Sequence, residues 1–309
     1  MFTAMFKLTF CSLLLGLFLA VQGRAQIFKM KYPPLKEKPA IVLAAFGTST
    51  KAQVTFAFFE KQVRAALPGY EIRWAFTSDI IRHKMNQIYA KRGEAKRLYS
   101  LPEVLARLEA EGFRKVVVQP LHIFPGIEYK EVVEICARFP GLRIFVGEPL
   151  FLRWERVKEV LEVLSREFLP PKEGINILSA HGTEVTSDGA NITYLGLDWL
   201  LRKHYPNVFL ATVEGIPDAE GVLKEASSFP GAKVRFIPLM FVAGDHVMND
   251  ILGEEDSWRA ELEKAGKKAD CPTIEVNGQI YYKGLGFYPE INELFIQSIK
   301  RMLKLMEIH

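Results

Sequence analysis

The chain has 309 residues, 49% of them apolar and 25% charged, with a formal net charge of +4. That length accommodates two modest domains, and the balance is ordinary for a folded globular protein, which excludes a disordered or low-complexity chain. The charge is too small, and its lysines and arginines too scattered, to predict a nucleic-acid partner.

The first 25 residues read as a signal peptide. Lys7 supplies a weakly basic start, Leu8 to Val21 is apolar but short for a membrane span, and Gly23-Arg24-Ala25 offers cleavage after Ala25. Cleavage removes Lys7 and Arg24 and no acid, so the balance falls from +4 to +2. No later stretch is apolar enough to predict a span, so an exported protein without stable membrane insertion is expected, in the periplasm or elsewhere outside the cytoplasm. Cys136 and Cys271 then remain, with no CxxC spacing, and buried free thiols are expected rather than a disulfide. A homo-oligomer is compatible with the sequence.

Strand and helix alternate from residue 38 onward, which predicts an α/β fold of two similar lobes, each a parallel sheet flanked by helices, with a cleft between them. The first lobe, 38–169, has predicted strands at Ala40–Phe46, Glu71–Phe76, Lys115–Leu121 and Leu142–Val146. Its predicted helices are Lys51–Ala66, Leu101–Glu111 and Ile127–Phe139, and the second opens on a Ser100/Glu103 capping box with Pro102 in the first turn. A helix with Trp154, Val157, Val160, Leu161, Leu164 and Phe168 on one face leads to the linker Pro170-Pro171-Lys172-Glu173-Gly174. The second lobe, 174–285, has predicted strands at Ile175–Ala180, Val208–Val213, Lys233–Leu239 and Thr273–Val276, and helices at Ile192–His204, Asp218–Ser227 and Ser257–Ala265. The closing segment, 286–309, is a predicted amphipathic helix long enough to pack back on the first lobe.

The lobes share sequence as well as pattern. Ile41-Val42-Leu43-Ala44-Ala45-Phe46-Gly47-Thr48 matches Asn176-Ile177-Leu178-Ser179-Ala180-His181-Gly182-Thr183 at an offset of 135. Lys115–Leu121 matches Lys233–Leu239 at an offset of 118, and Gly126 falls on Gly244 at that same offset. Two matches in the same order predict a duplicated lobe.

Against this repeat, two histidines stand out. His181 replaces Phe46 and His246 replaces Glu128, so the shared framework does not demand imidazole at either place. Both follow strands of the second lobe, at the sheet edge where open α/β proteins bind ligands. Glu214 ends a third strand of that sheet, and two imidazoles with a carboxylate make a plausible site for a divalent first-row metal. His122 and Glu128, after a first-lobe strand, are candidates for the facing wall, with Phe46 beside them; His122 is also a candidate haem-iron ligand, or a satisfied, partly buried side chain. His83, His204 and terminal His309 read as surface residues. No GxSxG elbow, P-loop, HExxH or GxGxxG fingerprint is present.

Ala45-Phe46-Gly47-Thr48-Ser49, Gln119-Pro120-Leu121-His122-Ile123-Phe124-Pro125-Gly126, Ser179-Ala180-His181-Gly182-Thr183, Val213-Glu214-Gly215 and Pro238-Leu239-Met240-Phe241-Val242-Ala243-Gly244-Asp245-His246 together resemble the anaerobic, CbiK-type sirohydrochlorin cobaltochelatases. The resemblance runs over nearly the whole chain after the signal peptide. It implies the two-lobed class II chelatase fold, a tetrapyrrole held between the lobes, and insertion of Co²⁺ into sirohydrochlorin, with Fe²⁺ as an alternative substrate metal. By the same resemblance His181 is expected to bind metal and accept protons, with His246 and Glu214 completing the metal set and Glu214 sharing the catalytic work. The export signal sits oddly with cytoplasmic cobalamin assembly and suggests an alternative: an exported, non-catalytic protein binding haem, another tetrapyrrole or a metal.

Overall fold

Strand β1 (Ala40–Ala45) is apolar at all six positions, and every one is buried. A strand reads this way when helices cover both faces of its sheet. The structure, a computed structural model, describes residues 33–308, so the predicted signal peptide lies outside the described residues. β2 (Glu71–Phe76), β3 (Lys115–Pro120) and β4 (Arg143–Val146) join β1 in a parallel sheet of order β2-β1-β3-β4. The second sheet takes β5 (Gly174–Gly182), β6 (Val208–Glu214), β7 (Lys233–Pro238) and β8 (Lys268–Asp270), parallel, in the order β6-β5-β7-β8. The two orders are the same, so the repeat seen in sequence is a repeat of topology. Each sheet reverses its winding direction beside its first strand, and such a switch point opens a crevice at the carboxyl ends of the strands.

The helices of the first lobe are α1 (Val54–Ala66), α2 (Asp79–Lys91), α3 (Leu101–Ala110), α4 (Ile127–Ala137) and α5 (Trp154–Leu164). Those of the second are α6 (Ala190–His204), α7 (Ala219–Ser228) and α8 (Trp258–Lys264), and α9 (Pro289–Ile308) closes the chain. The Ser100/Glu103 capping box is formed at the start of α3.

Strand alternation divides the core. Ile41, Leu43 and Ala45 of β1 face the same cluster as Leu178 and Ala180 of β5, so the two sheets share one interior. Ala40, Val42 and Ala44 face a separate outer cluster under α3 and α4, and Ile175 and Ile177 face another under α7 and α8. Phe241, just beyond β7, lies 5.3 Å from Phe59 of α1 and 5.8 Å from Phe295 of α9, ring centre to centre. α9 thereby packs against β3, β4, α1 and α5 of the first lobe. At the linker, buried Asn176 and Asn207 bind the backbone of Leu169, and Asn207 also binds the Gly174 carbonyl. Cys136 and Cys271 are free; burial pushes the Cys136 thiol up to about 12 and the Cys271 thiol higher still.

Two elements differ from the sequence expectation. Thr273–Val276 is not the fourth strand of the second sheet: it is β9, paired antiparallel with β10 (Gln279–Tyr282) in a separate hairpin. Asn277 and Gly278 turn the hairpin with positive φ at both residues, the conformation an Asn-Gly pair favours. The fourth place goes to three-residue β8. The second difference is α2, unforeseen between β2 and α3. Ser78 caps it, its side chain accepting a hydrogen bond from the Ile81 amide, and Met85 and Tyr89 bury its inner face.

Candidate active site

The carboxyl ends of β5 and β6 are held unusually close. Gly182 pairs with Glu214 across the ladder, and Gly182 and Gly215 both have positive φ. A Cβ on Gly182 would overlap the Glu214 carbonyl, and one on Gly215 would overlap the Thr183 carbonyl. Only glycine permits both the backbone angle and the approach. The result sets His181 beside Glu214, with Nδ1 of the ring 3.9 Å from Oε2.

His246 arrives from the neighbouring strand on the other side. β7 ends at Pro238, and the chain runs through Gly244 into a π-type helical turn, Val247–Ile251, with His246 at its entrance. Gly244 lies against Thr48, beside the tip of β1. The rings of His181 and His246 meet edge to face, their centres 4.7 Å apart. Glu214, His181 and His246 are each about 35–43% exposed at the side chain, so the group opens to solvent.

Hydrogen bonding settles which nitrogens are free. Nδ1 of His246 lies 2.6 Å from Oδ2 of Asp250, one helical turn on. Nδ1 of His181 lies 3.1 Å from the Gly182 carbonyl. Carbonyls and ionised carboxylates only accept, so in the neutral ring the proton belongs on each Nδ1 and the lone pair on each Nε2. Among the described residues, no three His, Cys, Asp or Glu side chains form a ready-made metal-holding group. Two imidazoles with a carboxylate alongside leave positions open, as suits a cation that is handed on rather than kept.

Two further candidates come from the first lobe. His122, just beyond β3, is 8% exposed, and neither ring nitrogen has a hydrogen-bond partner or meets solvent. Burial lowers its pKa to about 4, so the ring is neutral near pH 7. Of the alternatives open for His122, the ring is buried, but without the hydrogen-bond partners a satisfied histidine would have among the described residues. Its Nε2 lies 3.5 Å from Oε2 of Glu128, in the first turn of α4. Glu128 keeps half of its side chain in solvent, yet its recess and the neighbouring Glu131 and Asp188 push the carboxyl up to about 7.

Asp188 and Tyr194 connect the lobes. Asp188, from the second lobe, accepts hydrogen bonds from the Ile127 and Ala190 amides and so caps α4 of the first. Tyr194 accepts from the Gly182 amide next to His181, and its ring lies 3.9 Å from that of Phe124. Phe46 is 44% exposed just beyond β1. Sequence reasoning missed Asp250 and Asp188. The His246/Asp250 spacing of four was a readable signal for the first; the second acts only through tertiary structure.

The fold resembles that of SirB from Bacillus subtilis, solved with Fe³⁺, with a TM-score of 0.57 at 18% identity over 87% of this chain and 97% of that one. The chain thus shares that protein's fold. It is 31% identical to the sirohydrochlorin cobaltochelatase CbiKC of Nitratidesulfovibrio vulgaris, covering 80% of this chain and 86% of the relative. It is 25% identical to the sirohydrochlorin cobaltochelatase of Salmonella typhimurium, covering 87% and 97% respectively. Residues 39–304 match the cobalt chelatase (CbiK) family, and the chain belongs to it.

Proposed function

We propose that this enzyme inserts a divalent cation, Co²⁺ with Fe²⁺ as the alternative, into sirohydrochlorin, and that His181, His246 and Glu214 hold the incoming ion. The observation that carries the reading is the edge-to-face pair of imidazoles at adjacent strand ends, open to solvent, with a carboxylate 3.9 Å from one of them. Nitrogen and oxygen donors suit both metals and do not choose strongly between them.

Insertion must remove two pyrrole N–H protons and exchange protein ligands for ring nitrogens. A neutral imidazole binds a metal or a proton through the same lone pair, so His181 can release the one as it accepts the other. Glu214 offsets the charge of the ion while it is protein-bound. Glu128, titrating near neutrality in the first lobe, can take a second proton and pass it to solvent. A macrocycle held between the lobes meets the ion in a fixed geometry, which removes much of the entropic barrier to a bimolecular reaction. Export, expected from residues 1–25, belongs to the same proposal, and amino-terminal sequencing of the protein recovered from cell fractions tests it.

The experiment is to mix the purified chain with sirohydrochlorin and Co²⁺ and follow the absorption of the macrocycle. Insertion faster than the protein-free reaction is expected, with a loss of 10²-fold or more in His181→Ala. Full activity in that variant would refute the assignment of the histidine. Tight retention of sirohydrochlorin without turnover would favour a binding protein instead.

A further inference from the structure

Beside β2, the edge strand of the first sheet, where the Phe76 amide donates to the Tyr99 carbonyl, lies a cavity of about 390 Å³. This is within the size range of small-ligand sites. Phe56 and Glu60 of α1, Trp74 and Phe76 of β2, and Tyr99 and Arg107 form much of its wall. His181, Glu214, His246, His122 and Glu128 do not line it; Thr48, which lies against Gly244, does.

The lining is aromatic and cationic together. Trp74 stacks on Phe76 with ring planes 10° apart, and Phe56 meets both edge-on. Arg73, Lys96, Arg97 and Arg107 face the cavity against one carboxylate, Glu60. That carboxylate is already engaged by the Trp74 indole at 2.7 Å and by Arg64 at 2.6 Å. Arg73 and Arg97 pair with glutamates outside the lining: Glu71 and Glu111 for the first, Glu103 for the second. Lys96 and Arg107 have no carboxylate within 4.0 Å among the described residues, and lie over the rings of Tyr89 and Tyr99 at 5.0 and 4.0 Å.

Cations gathered around a concave surface repel one another, and exposed lysines and arginines ordinarily spread into solvent. Here aromatic faces hold two of them at the rim. The complement of this surface is flat, for the rings, and negative, for the unpaired cations. We propose that the pocket binds a planar aromatic ligand carrying carboxylate or phosphate groups, its ring against Trp74 and Phe76 and its acids against Lys96 and Arg107. The chemistry is common to a nucleotide and to an acid-substituted aromatic ring.

Titration of the full chain, followed by tryptophan fluorescence and calorimetry, separates these sources. The probes are AMP for the phosphate-bearing class, benzene-1,3,5-tricarboxylate for the carboxylate class, and inorganic phosphate as a charge-only control. Saturable binding of AMP or the tricarboxylate is expected, tighter than that of inorganic phosphate, and the tighter of the two identifies the class. The double variant Lys96→Gln/Arg107→Gln, at exposed positions, is expected to weaken it at least tenfold while keeping the wild-type melting temperature. Trp74→Phe is expected to remove the fluorescence response while calorimetry still detects binding. Absence of binding by both planar probes, binding unchanged in the double variant, or inorganic phosphate binding equally well would each overturn the proposal. None of these outcomes depends on whether the chain inserts metal.

Discussion

Glu128 offers a test that separates the cost of the site from its use. Its carboxyl lies at about 7 in the folded chain, against 4.5 for the free group. Between those values the folded state keeps a proton that the unfolded state releases, so stability falls as pH rises from 4.5 to 7 and the whole cost is present above 7. Taken whole, that difference corresponds to about 3 kcal/mol. Half of the side chain meets water, so solvent screening reduces the figure to about 1 kcal/mol. Glu128→Gln has nearly the same shape and cannot ionise. The variant is therefore expected to melt at nearly the same temperature as wild type at pH 4.5, and about 1–2 °C higher at pH 8. Buried His122, with its pKa lowered to about 4, contributes the opposite slope in acid, and because its Nε2 lies 3.5 Å from Glu128 the comparison is decided at pH 8, above the range in which that ring titrates. The measurement is thermal denaturation of both proteins in chelator across that range. A difference independent of pH, or a variant less stable at pH 8, would refute the reasoning. If Glu128 also accepts a pyrrole proton, the stabilised variant is the slower enzyme.

Two further outcomes follow from the geometry. Asp250→Asn keeps the contact to His246 but loses the charge that fixes the imidazole, and Co²⁺ affinity measured by calorimetry is expected to fall 10–100-fold; unchanged affinity would show that Asp250 does not orient a ligand. Gly182→Ala places a Cβ in the Glu214 carbonyl at a positive φ, and a loss of about 3 kcal/mol or more is expected in urea denaturation, together with separation of His181 from Glu214. A stable, fully active Gly182→Ala would mean that the strand ends tolerate a wider spacing.

The framework was legible because the strands obey simple rules. β1 reads as an unbroken apolar run, β3 and β5 as largely apolar ones interrupted by Gln119, Asn176 and Ser179, and the two offsets in the repeat anticipated the shared sheet order. The sequence also marked His181 and His246, since a duplicated lobe without histidine at those places removes packing as their explanation. β8 was illegible because Lys268-Ala269-Asp270 is too short and too polar to show alternation, whereas the Asn277-Gly278 signal of the hairpin was readable and went unweighted. α2 was obscured by Arg82-His83-Lys84 among its few apolar residues, although Ser78 marked its start. His122 could not be placed from local pattern, because its enclosure depends on elements that meet it only in the folded chain.

The position of α9 has a consequence for how this protein is made. The helix begins at Pro289, yet it packs on β3 and α1, which emerge from the ribosome far earlier. Phe59 and Phe241 wait for Phe295 to complete their contact. The face of the first lobe that α9 covers is therefore buried only after residues 289–308 have been made.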